Sequence, residues 1–513
     1  MNNATAILRT LIIYAICLPG AIVVGVLVTK PMYASSWVDY GLLAGLLSLP
    51  ILLRWHHPLL FFCWSLPLTV FFLPGHPTVW LPMMAASLGI SVLQRTLNRD
   101  MRFLPTPRLF WPLICLLGVT LITAEMNGGI GLHSLGSDIS GGKRYIFLIC
   151  GILGFFALKA QRIPPERAGL YLGLFFLSSC FSVIGDLYSY LPQQFNFIFW
   201  LFPANTYVTE ITQQVGVARF GGLDSAAQAI FFVMMAKYGI RGIFMPCRLL
   251  RIVIFFGCMA LGLLGGFRLL LITFALVFTM QFFLEGLHRT KLLPMFIFAG
   301  IFASALLLPL ADRLPFAIQR SLSILPIHVS AAARADADAS SAWRLAMWKA
   351  VLPQVPKHLL RGKGYGLTEE DFTAMTMASR STDFAADWGA AIASDYHNGP
   401  LSVVLPFGIW GVFAFLWLLI AGGSCLYDNF RYGDPSLRTA NALLFAMFLT
   451  RTFLFFFVAG SLYSDILAFA GYLGMSVSLN GGICRRSAPE AAIQPEEMGI
   501  RALARPRLQP VWR

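Results

Sequence analysis

Long apolar runs recur along most of this chain and constrain its fold more than any other feature. Runs of about eighteen residues or more predict transmembrane helices, because a helix satisfies its own backbone polar groups inside lipid. The chain is also only 12% charged, about half of what a soluble globular chain carries. The sequence therefore predicts an all-α polytopic membrane protein with about 14 (12–14) transmembrane helices and one large, partly helical periplasmic loop. The runs are centred near Ile13, Leu46, Leu66, Ala86, Leu116, Leu153, Phe176, Phe231, Gly257, Ala275, Phe298, Phe413, Phe448 and Ala468.

The net charge of +14 follows membrane topology rather than nucleic-acid binding. Lys and Arg accumulate in the cytoplasmic loops of membrane proteins. In this chain, basic loops alternate with loops that contain few Lys or Arg residues. The alternation predicts that both termini are cytoplasmic and that the long polar loop lies on the other side. The basic loops hold Arg54, Arg95, Arg99, Arg102, Arg108, Lys159, Arg162, Arg167, Lys237, Arg241, Arg248, Arg251, Arg289, Lys291, Arg431 and Arg438.

The chain divides into four regions, none of which has the composition of a soluble domain. Residues 1–310 are predicted to form a transmembrane bundle of about eleven helices, and residues 397–479 add about three more. Between them, residues 311–396 form the one long polar stretch, the predicted periplasmic loop. Residues 480–513 are rich in Arg, Pro, Ala and Glu, which predicts a disordered cytoplasmic tail whose positive charge favours anionic lipid.

The long loop contains a predicted amphipathic helix. Residues 331–339 are alanine-rich and are interpreted as a flexible or weakly helical connector. Ser340 and Ser341 then offer an N-cap to a helix over 342–352, which stops at Pro353. Trp343 and Met347 share one face of that helix, at a spacing typical of a segment lying in the membrane interface. After it, residues 361–366 (RGKGYG) suit a tight turn or a close approach of the backbone to a ligand.

Four cationic or titratable residues fall at the outward-facing ends of the predicted helices: Arg219, Arg268, Arg344 and His397. Charged groups near the bilayer are costly and tend to mark function. Arginines that converge at one face suit a pyrophosphate, because the guanidinium fork matches phosphate oxygens. Each arginine could equally serve as an interfacial anchor with its charge in the headgroups.

His397 is a candidate general base because histidine titrates near neutrality. Asp395 is two residues away and could orient it, although closeness in sequence does not establish contact. Arg451 lies deep in an apolar run, where it could bind a donor or pair with an acidic residue. No spacing of His, Cys, Asp and Glu predicts a metal site, and no cofactor is predicted.

The blocks around these residues resemble the O-antigen ligase and polymerase superfamily. Residues 341–348 (SAWRLAMW) and 361–366 (RGKGYG) look like its loop motif, and 397–401 (HNGPL) followed by 407–411 (FGIWG) looks like its next helix. Arg219 with Gly222, and Arg268 after its glycines, match two further family arginines. The resemblance covers roughly residues 216–411. The order and spacing of four blocks make it specific, although no single block would be.

The resemblance implies a glycosyltransferase of lipopolysaccharide or polysaccharide biosynthesis in the bacterial inner membrane. In that family a glycan moves from undecaprenyl pyrophosphate to an acceptor hydroxyl at the periplasmic face, without metal and with inversion. Carried over, His397 is the base, and Arg219, Arg268 and Arg344 bind donor phosphate. Asn398 lies in the matched block. The sequence departs from the family at Asp224-Ser225, where Pro-Asn is usual, and at Phe267, where Ser is common.

Other functions stay open from the sequence. The acceptor could be a lipid A core, the growing glycan chain or a protein hydroxyl, and no residue distinguishes them. A polysaccharide or lipid transporter, or a flippase, is the alternative from another class. It predicts repeated halves and polar residues near the bilayer midplane, whereas the polar groups of this chain cluster at one face. A structural subunit of an envelope complex is a third hypothesis, and such a role would not require the arginines.

Overall fold

The chain folds into a bundle of helices. Within the ranges given at the end of this paragraph, every regular element is helical, and an isolated antiparallel bridge between Thr69 and Thr78 is the sole strand-like pairing. The predicted all-α membrane class agrees with this architecture. The computed structural model describes residues 34–73, 75–98, 103–130, 142–205, 220–245, 248–325, 327–367 and 396–485, with six residues between 14 and 25.

The first half of the chain supplies short and long helices that surround the core. Short 3-10 turns extend α5 at both ends. The helices are α1 (Ala34–Trp64), α2 (Trp80–Leu97), α3 (Pro107–Met126), α4 (Gly142–Leu158), α5 (Ala168–Leu177), α6 (Val183–Asp186), α7 (Ile198–Leu201), α8 (Gly221–Ile243), α9 (Leu249–Leu263), α10 (Arg268–Leu284) and α11 (Leu292–Leu307).

The second half begins with the polar loop and ends with three long apolar helices. The loop contributes α12 (Phe316–Leu322), α13 (Ala331–Val351) and α14 (Val355–His358), and the final helices are α15 (Gly399–Tyr432), α16 (Arg438–Phe457) and α17 (Leu462–Asn480).

Within the described residues, five segments are long and apolar enough to cross a membrane. Three more helices, α9 to α11, are apolar but no longer than 17 residues, which at 1.5 Å per residue is about 26 Å, short of a bilayer core of about 30 Å. The predicted count of about fourteen is not confirmed. Trp55 has non-helical backbone angles (φ −124°, ψ 17°), so α1 consists of two helical segments that meet at this kink. The five segments are Pro107–Met126, Pro165–Ser189, Gly399–Tyr432, Pro435–Phe457 and Leu462–Asn480.

Small residues let the central helices pack closely around Trp64. A Cβ on Gly471 of α17 would lie 2.6 Å from Nε1 of Trp64, and one on Gly154 of α4 would overlap the same ring. The indole N–H donates to the carbonyl of Leu467 at 3.3 Å. Glycines at such contacts allow close helix packing in lipid, where van der Waals contact replaces the hydrophobic effect between helices.

The turn at residues 361–366 completes a break in α15. Gly408 has φ +63° and interrupts the helix after Pro406. Lys363 N donates to the Leu405 carbonyl at 2.7 Å, and Gly364 N donates to the Pro406 carbonyl at 2.9 Å. Gly362 has φ +72°, and a Cβ there would overlap the Pro406 carbonyl oxygen. The glycines predicted to suit a turn or a ligand therefore serve the turn, which satisfies carbonyls that the break exposes.

Basic residues predicted to share one side of the membrane gather at one end of the bundle. Lys159 Nζ donates to Thr106 Oγ1 at 2.7 Å and to the Leu104 carbonyl at 2.9 Å. Arg95 donates to the carbonyl of Ala160, and Arg108 pairs with Asp428 at 2.7 Å. The polar loop packs at the opposite end, where Tyr365 N donates to the hydroxyl oxygen of Tyr145, near the start of α4, at 2.9 Å.

The loop helix is longer than the sequence analysis predicts. Residues 331–339, interpreted as a connector, are the first turns of α13, which Ser330 caps by accepting from Ala333 N at 3.3 Å. Alanine has the highest helix propensity, so the tract extends the helix once Ser330 has capped it. The apolar face does not lie free in an interface, because Met347 and Val351 are buried against Tyr396, Leu401 and Leu405.

Candidate functional site

Helix α13 brings the candidate residues together. Its Ser341 side faces the start of α10, and its Trp343 side faces the start of α15. It packs on α15 through its buried apolar face and on α10 through polar contacts. The site is therefore assembled where three helices meet at the loop end of the bundle.

Arg268 is the first residue of α10 and reaches directly to α13. Its Nη2 donates to the Ala337 carbonyl at 3.1 Å and lies 3.5 Å from Ser341 Oγ. The charges of Arg320 and Arg344 act on it, and so do those of Asp336 and Asp338. The guanidinium is thus held through Nη2, and its other N–H groups have no hydrogen bond to a residue that the structure describes.

Arg344 follows Ser341 by about one helical turn on α13. Its Nε is buried and has no hydrogen-bond partner among the residues that the structure describes. Burial lowers the pKa of the guanidinium, and the nearby charge of Arg320 lowers it further. A buried N–H of a cation without a partner is costly, which favours a ligand over a purely structural role.

Arg320 connects the two arginines and was not identified from the sequence. Its side chain is buried, donates from Nη1 to the Gly266 carbonyl at 2.7 Å, and pairs through Nε with Asp336 of α13. It thereby fixes the turn before Arg268 against the helix that carries Arg344. The available signal was a charged residue inside the short apolar segment of α12.

His397 lies directly before α15 in a strained backbone conformation. Its φ is +46°, which is uncommon outside glycine although histidine tolerates it better than most residues. Its ring centroid lies 5.4 Å from that of Trp343, and Trp348 Nε1 fixes the preceding carbonyl of Tyr396 at 2.8 Å. Strain of this kind persists where the surroundings hold it, and it clusters at functional sites.

Asn398 has a structural role in α15. Its side chain accepts from Leu401 N at 3.0 Å and caps the helix, a position that asparagine favours. The cap fixes the backbone that carries His397. Arg219 and Asp395 lie outside the described residues, so their predicted roles remain predictions.

Arg451 lies in the bundle interior and pairs with the buried carboxylate of Asp465 on α17. Its Nε has no hydrogen-bond partner within the described part of the chain. Arg451 also lines a cavity of about 170 Å³ together with Asp224, Thr273 and Phe267, the residue before Arg268. The acidic partner considered in the sequence analysis is therefore present, and the cavity connects this pair to the Arg268 end of the site.

The N-terminus of α8, which follows Arg219, is occupied by a carboxylate of the protein itself. Asp186 is buried and accepts from Gly222 N and Leu223 N, both at 3.0 Å, and from Asn205 Nδ2 at 2.8 Å. A helix N-terminus attracts anions, but here Asp186 fills that position. This helix end is therefore already occupied and is not open to a ligand anion.

The family comparison covers the part of the chain that carries this geometry. The family model described as O-antigen ligase matches residues 248–416. This segment belongs to the O-antigen ligase family. The resemblance predicted from the sequence is thereby confirmed for a segment that includes Arg268, Arg344 and His397. Arg219 and Arg451 lie outside the matched O-antigen ligase segment. Comparison with curated proteins finds no match.

Proposed function

We propose that this membrane protein transfers an oligosaccharide or polysaccharide from undecaprenyl pyrophosphate to an acceptor hydroxyl. The observation that carries the proposal is the convergence of Arg268, Arg344 and His397 on α13, inside the segment that matches the O-antigen ligase family. The acceptor is a lipid A core, a growing glycan or a protein hydroxyl.

The donor pyrophosphate is assigned to the arginines. Among the described residues, Arg268 forms hydrogen bonds only through Nη2, and the buried Nε of Arg344 has no partner. The family resemblance assigns Arg219 to the same role. Guanidinium groups bind phosphate oxygens through paired charge-assisted hydrogen bonds. Three of them would neutralise the leaving pyrophosphate, so the proposed reaction does not require a metal ion.

His397 is assigned as the general base. Its imidazole accepts the proton of the acceptor hydroxyl while that oxygen attacks the anomeric carbon of the donor sugar. The new carbon–oxygen bond forms as the bond from that carbon to pyrophosphate breaks, and undecaprenyl pyrophosphate leaves with the electron pair. Attack from the face opposite the leaving group inverts the anomeric configuration. Trp343 packs beside the imidazole and fixes its position.

The site is assigned to the periplasmic face of a bacterial inner membrane, with both termini in the cytoplasm. The grouping of basic residues at one end of the bundle supports this assignment. Arg95, Lys159 and Arg108, which the charge alternation predicts to be cytoplasmic, contact partners at the end of the bundle away from α13. The excess of Lys and Arg marks the cytoplasmic side, which leaves the α13 end facing outward.

Reconstitution tests the proposal directly. The purified full-length protein in nanodiscs is given a lipid-pyrophosphate oligosaccharide and each acceptor class in turn, and release of undecaprenyl pyrophosphate is measured. We expect release with one acceptor by the wild type and none by His397→Ala. Movement of intact lipid-linked sugar across vesicles, with no release by any acceptor, would instead establish the transporter alternative and overturn the enzyme.

A further inference from the structure

A large cavity opens at the end of the bundle opposite α13. It has a volume of about 1000 Å³ and lies between the last turns of α8, the end of α10, the start of α11 and the start of α16. Ligand sites of proteins typically enclose about 300–1000 Å³, so the space suits a molecule rather than a few waters. It shares no lining residue with the candidate site.

Three exposed cations line this cavity: Arg241, Lys291 and Arg438. Within the described ranges none of them forms an ion pair. Arg438 lies 5.8 Å above the ring of Phe430, another lining residue. The three come from α8, the turn before α11 and α16, so folding brings together charges that are far apart in the sequence.

The single carboxylate of the lining is already used by the protein. Glu285 accepts from Ile240 N at 3.1 and 3.2 Å and from Gln281 Nε2 at 2.8 Å. It satisfies the break that Gly239, with φ +62°, introduces into α8. Three cations against one committed carboxylate leave the lining with a charge of +2, and an anion is the ligand that this charge favours.

Apolar surface continues from the cavity onto α11. Phe244, Leu292 and Met295 line the cavity, and beyond it Phe298 and Phe302 of α11 are 71% and 72% exposed. A small inorganic anion would use the cations alone. A ligand with a charged head and acyl chains would use both surfaces, because its chains can follow the exposed face of α11.

We propose that this cavity binds an anionic phospholipid, with its phosphate between Arg241, Lys291 and Arg438 and its acyl chains along α11. Basic pockets between transmembrane helices are suited to anionic headgroups, and each Lys or Arg near such a surface strengthens binding about fivefold. The site is separate from the glycan-transfer site, and it does not depend on the proposed reaction.

Binding is tested by native mass spectrometry of the full-length protein in detergent. Dioleoyl phosphatidylglycerol, dioleoyl phosphatidylcholine and inorganic phosphate are titrated separately. We expect one phosphatidylglycerol to bind more tightly than phosphatidylcholine, and the triple variant Arg241→Gln/Lys291→Gln/Arg438→Gln to weaken it about 100-fold. The matched control Arg54→Gln/Arg167→Gln/Arg485→Gln removes the same charge from exposed positions outside the cavity and should bind as the wild type does.

Several outcomes would overturn the proposal. Equal weakening by both triple variants would mean that total charge, and not this cavity, holds the lipid. Displacement of phosphatidylglycerol by inorganic phosphate, with phosphate bound as tightly, would assign the cavity to free phosphate. If the triple variant fails to fold, Lys291→Gln alone should weaken binding about fivefold, and an unchanged affinity would reject the site.

Discussion

The cations around Lys159 at the basic end and the arginines beside α13 are held in different ways. At the basic end, Lys159 donates to Leu104 and Thr106, and Arg108 pairs with Asp428. At the α13 end, Arg320 is likewise engaged by protein partners. Arg268 and Arg344 keep N–H groups that the described protein does not use. A cation whose donors are already satisfied stabilises the fold, whereas one with unused donors is available to a ligand.

The largest effect is expected from removal of the proposed base, His397. His397→Ala should lower kcat/KM for glycan transfer about 10³-fold, since general base catalysis contributes about 10²–10⁴. Release of undecaprenyl pyrophosphate measures the effect. His328→Ala is the matched control, because His328 is an exposed loop histidine and its loss should leave the rate unchanged. Equal losses in both variants would remove His397 from the chemistry.

Arg344 tests whether unused donors mark a ligand. Arg344→Ala should lower kcat/KM about 10²-fold, because it removes charge stabilisation of the leaving pyrophosphate. Arg344→Lys should fall between it and the wild type, since a lysine keeps the charge but loses the planar fork. Both are measured by donor titration at saturating acceptor. A wild-type rate in Arg344→Ala would show that the half-buried guanidinium has a structural role only.

Arg320 tests whether a cation engaged by the protein can position the site. It binds the turn before Arg268 and the helix that carries Arg344. Arg320→Gln should lower kcat/KM about tenfold, through loss of the charged hydrogen bonds that align the two arginines. Asp336→Asn should do the same, and the double variant should add little to either. A lowered melting temperature with unchanged kcat/KM in the folded protein would limit Arg320 to stability.

Lys159 should show the opposite pattern. Lys159→Met leaves the Leu104 carbonyl and Thr106 hydroxyl without their donor, which should cost about 1–3 kcal/mol of unfolding free energy. The transfer rate of the folded protein should not change, because Lys159 lies at the far end. Thermal unfolding and activity are measured on the same preparation. A loss of rate without a loss of stability would contradict the division between the two ends.

The smallest effect is expected at the exposed pair of Arg108 and Asp428. The Arg108 side chain is 50% exposed, and such pairs contribute about 0.2–1 kcal/mol. Arg108→Gln should therefore shift the melting temperature by a few degrees at most, and it should leave the rate of glycan transfer unchanged. A large fall in stability would show that this end depends on its charges more strongly than exposure suggests.

Part of the fold and site was predictable because the relevant signals are local. Apolar runs predicted the helical membrane class, and short blocks predicted the family through Arg344, residues 361–366 and His397. The helix count was not predictable in the same way. Hydropathy does not report where a helix begins and ends, and so it does not report how short α9 to α11 are.

The roles of individual residues depended on contacts between distant segments. Nothing in the glycines of 361–366 indicates that their partner is the break at Pro406 and Gly408, and nothing near Arg320 indicates Gly266 or Asp336. The alanine-rich tract at 331–339 was interpreted as a connector because its propensity was weighed without the Ser330 cap and the Arg320 partner.

The sequence by itself determined that this chain is a helical membrane protein with an O-antigen ligase segment, since composition and block order are properties of the chain alone. Only the tertiary structure decided which cations form hydrogen bonds or ion pairs within the protein and which keep N–H groups available to a ligand. Hydrogen bonds reach about 3 Å, so whether Arg344 or Lys159 finds a partner depends on how the helices pack, and no local pattern carries that information.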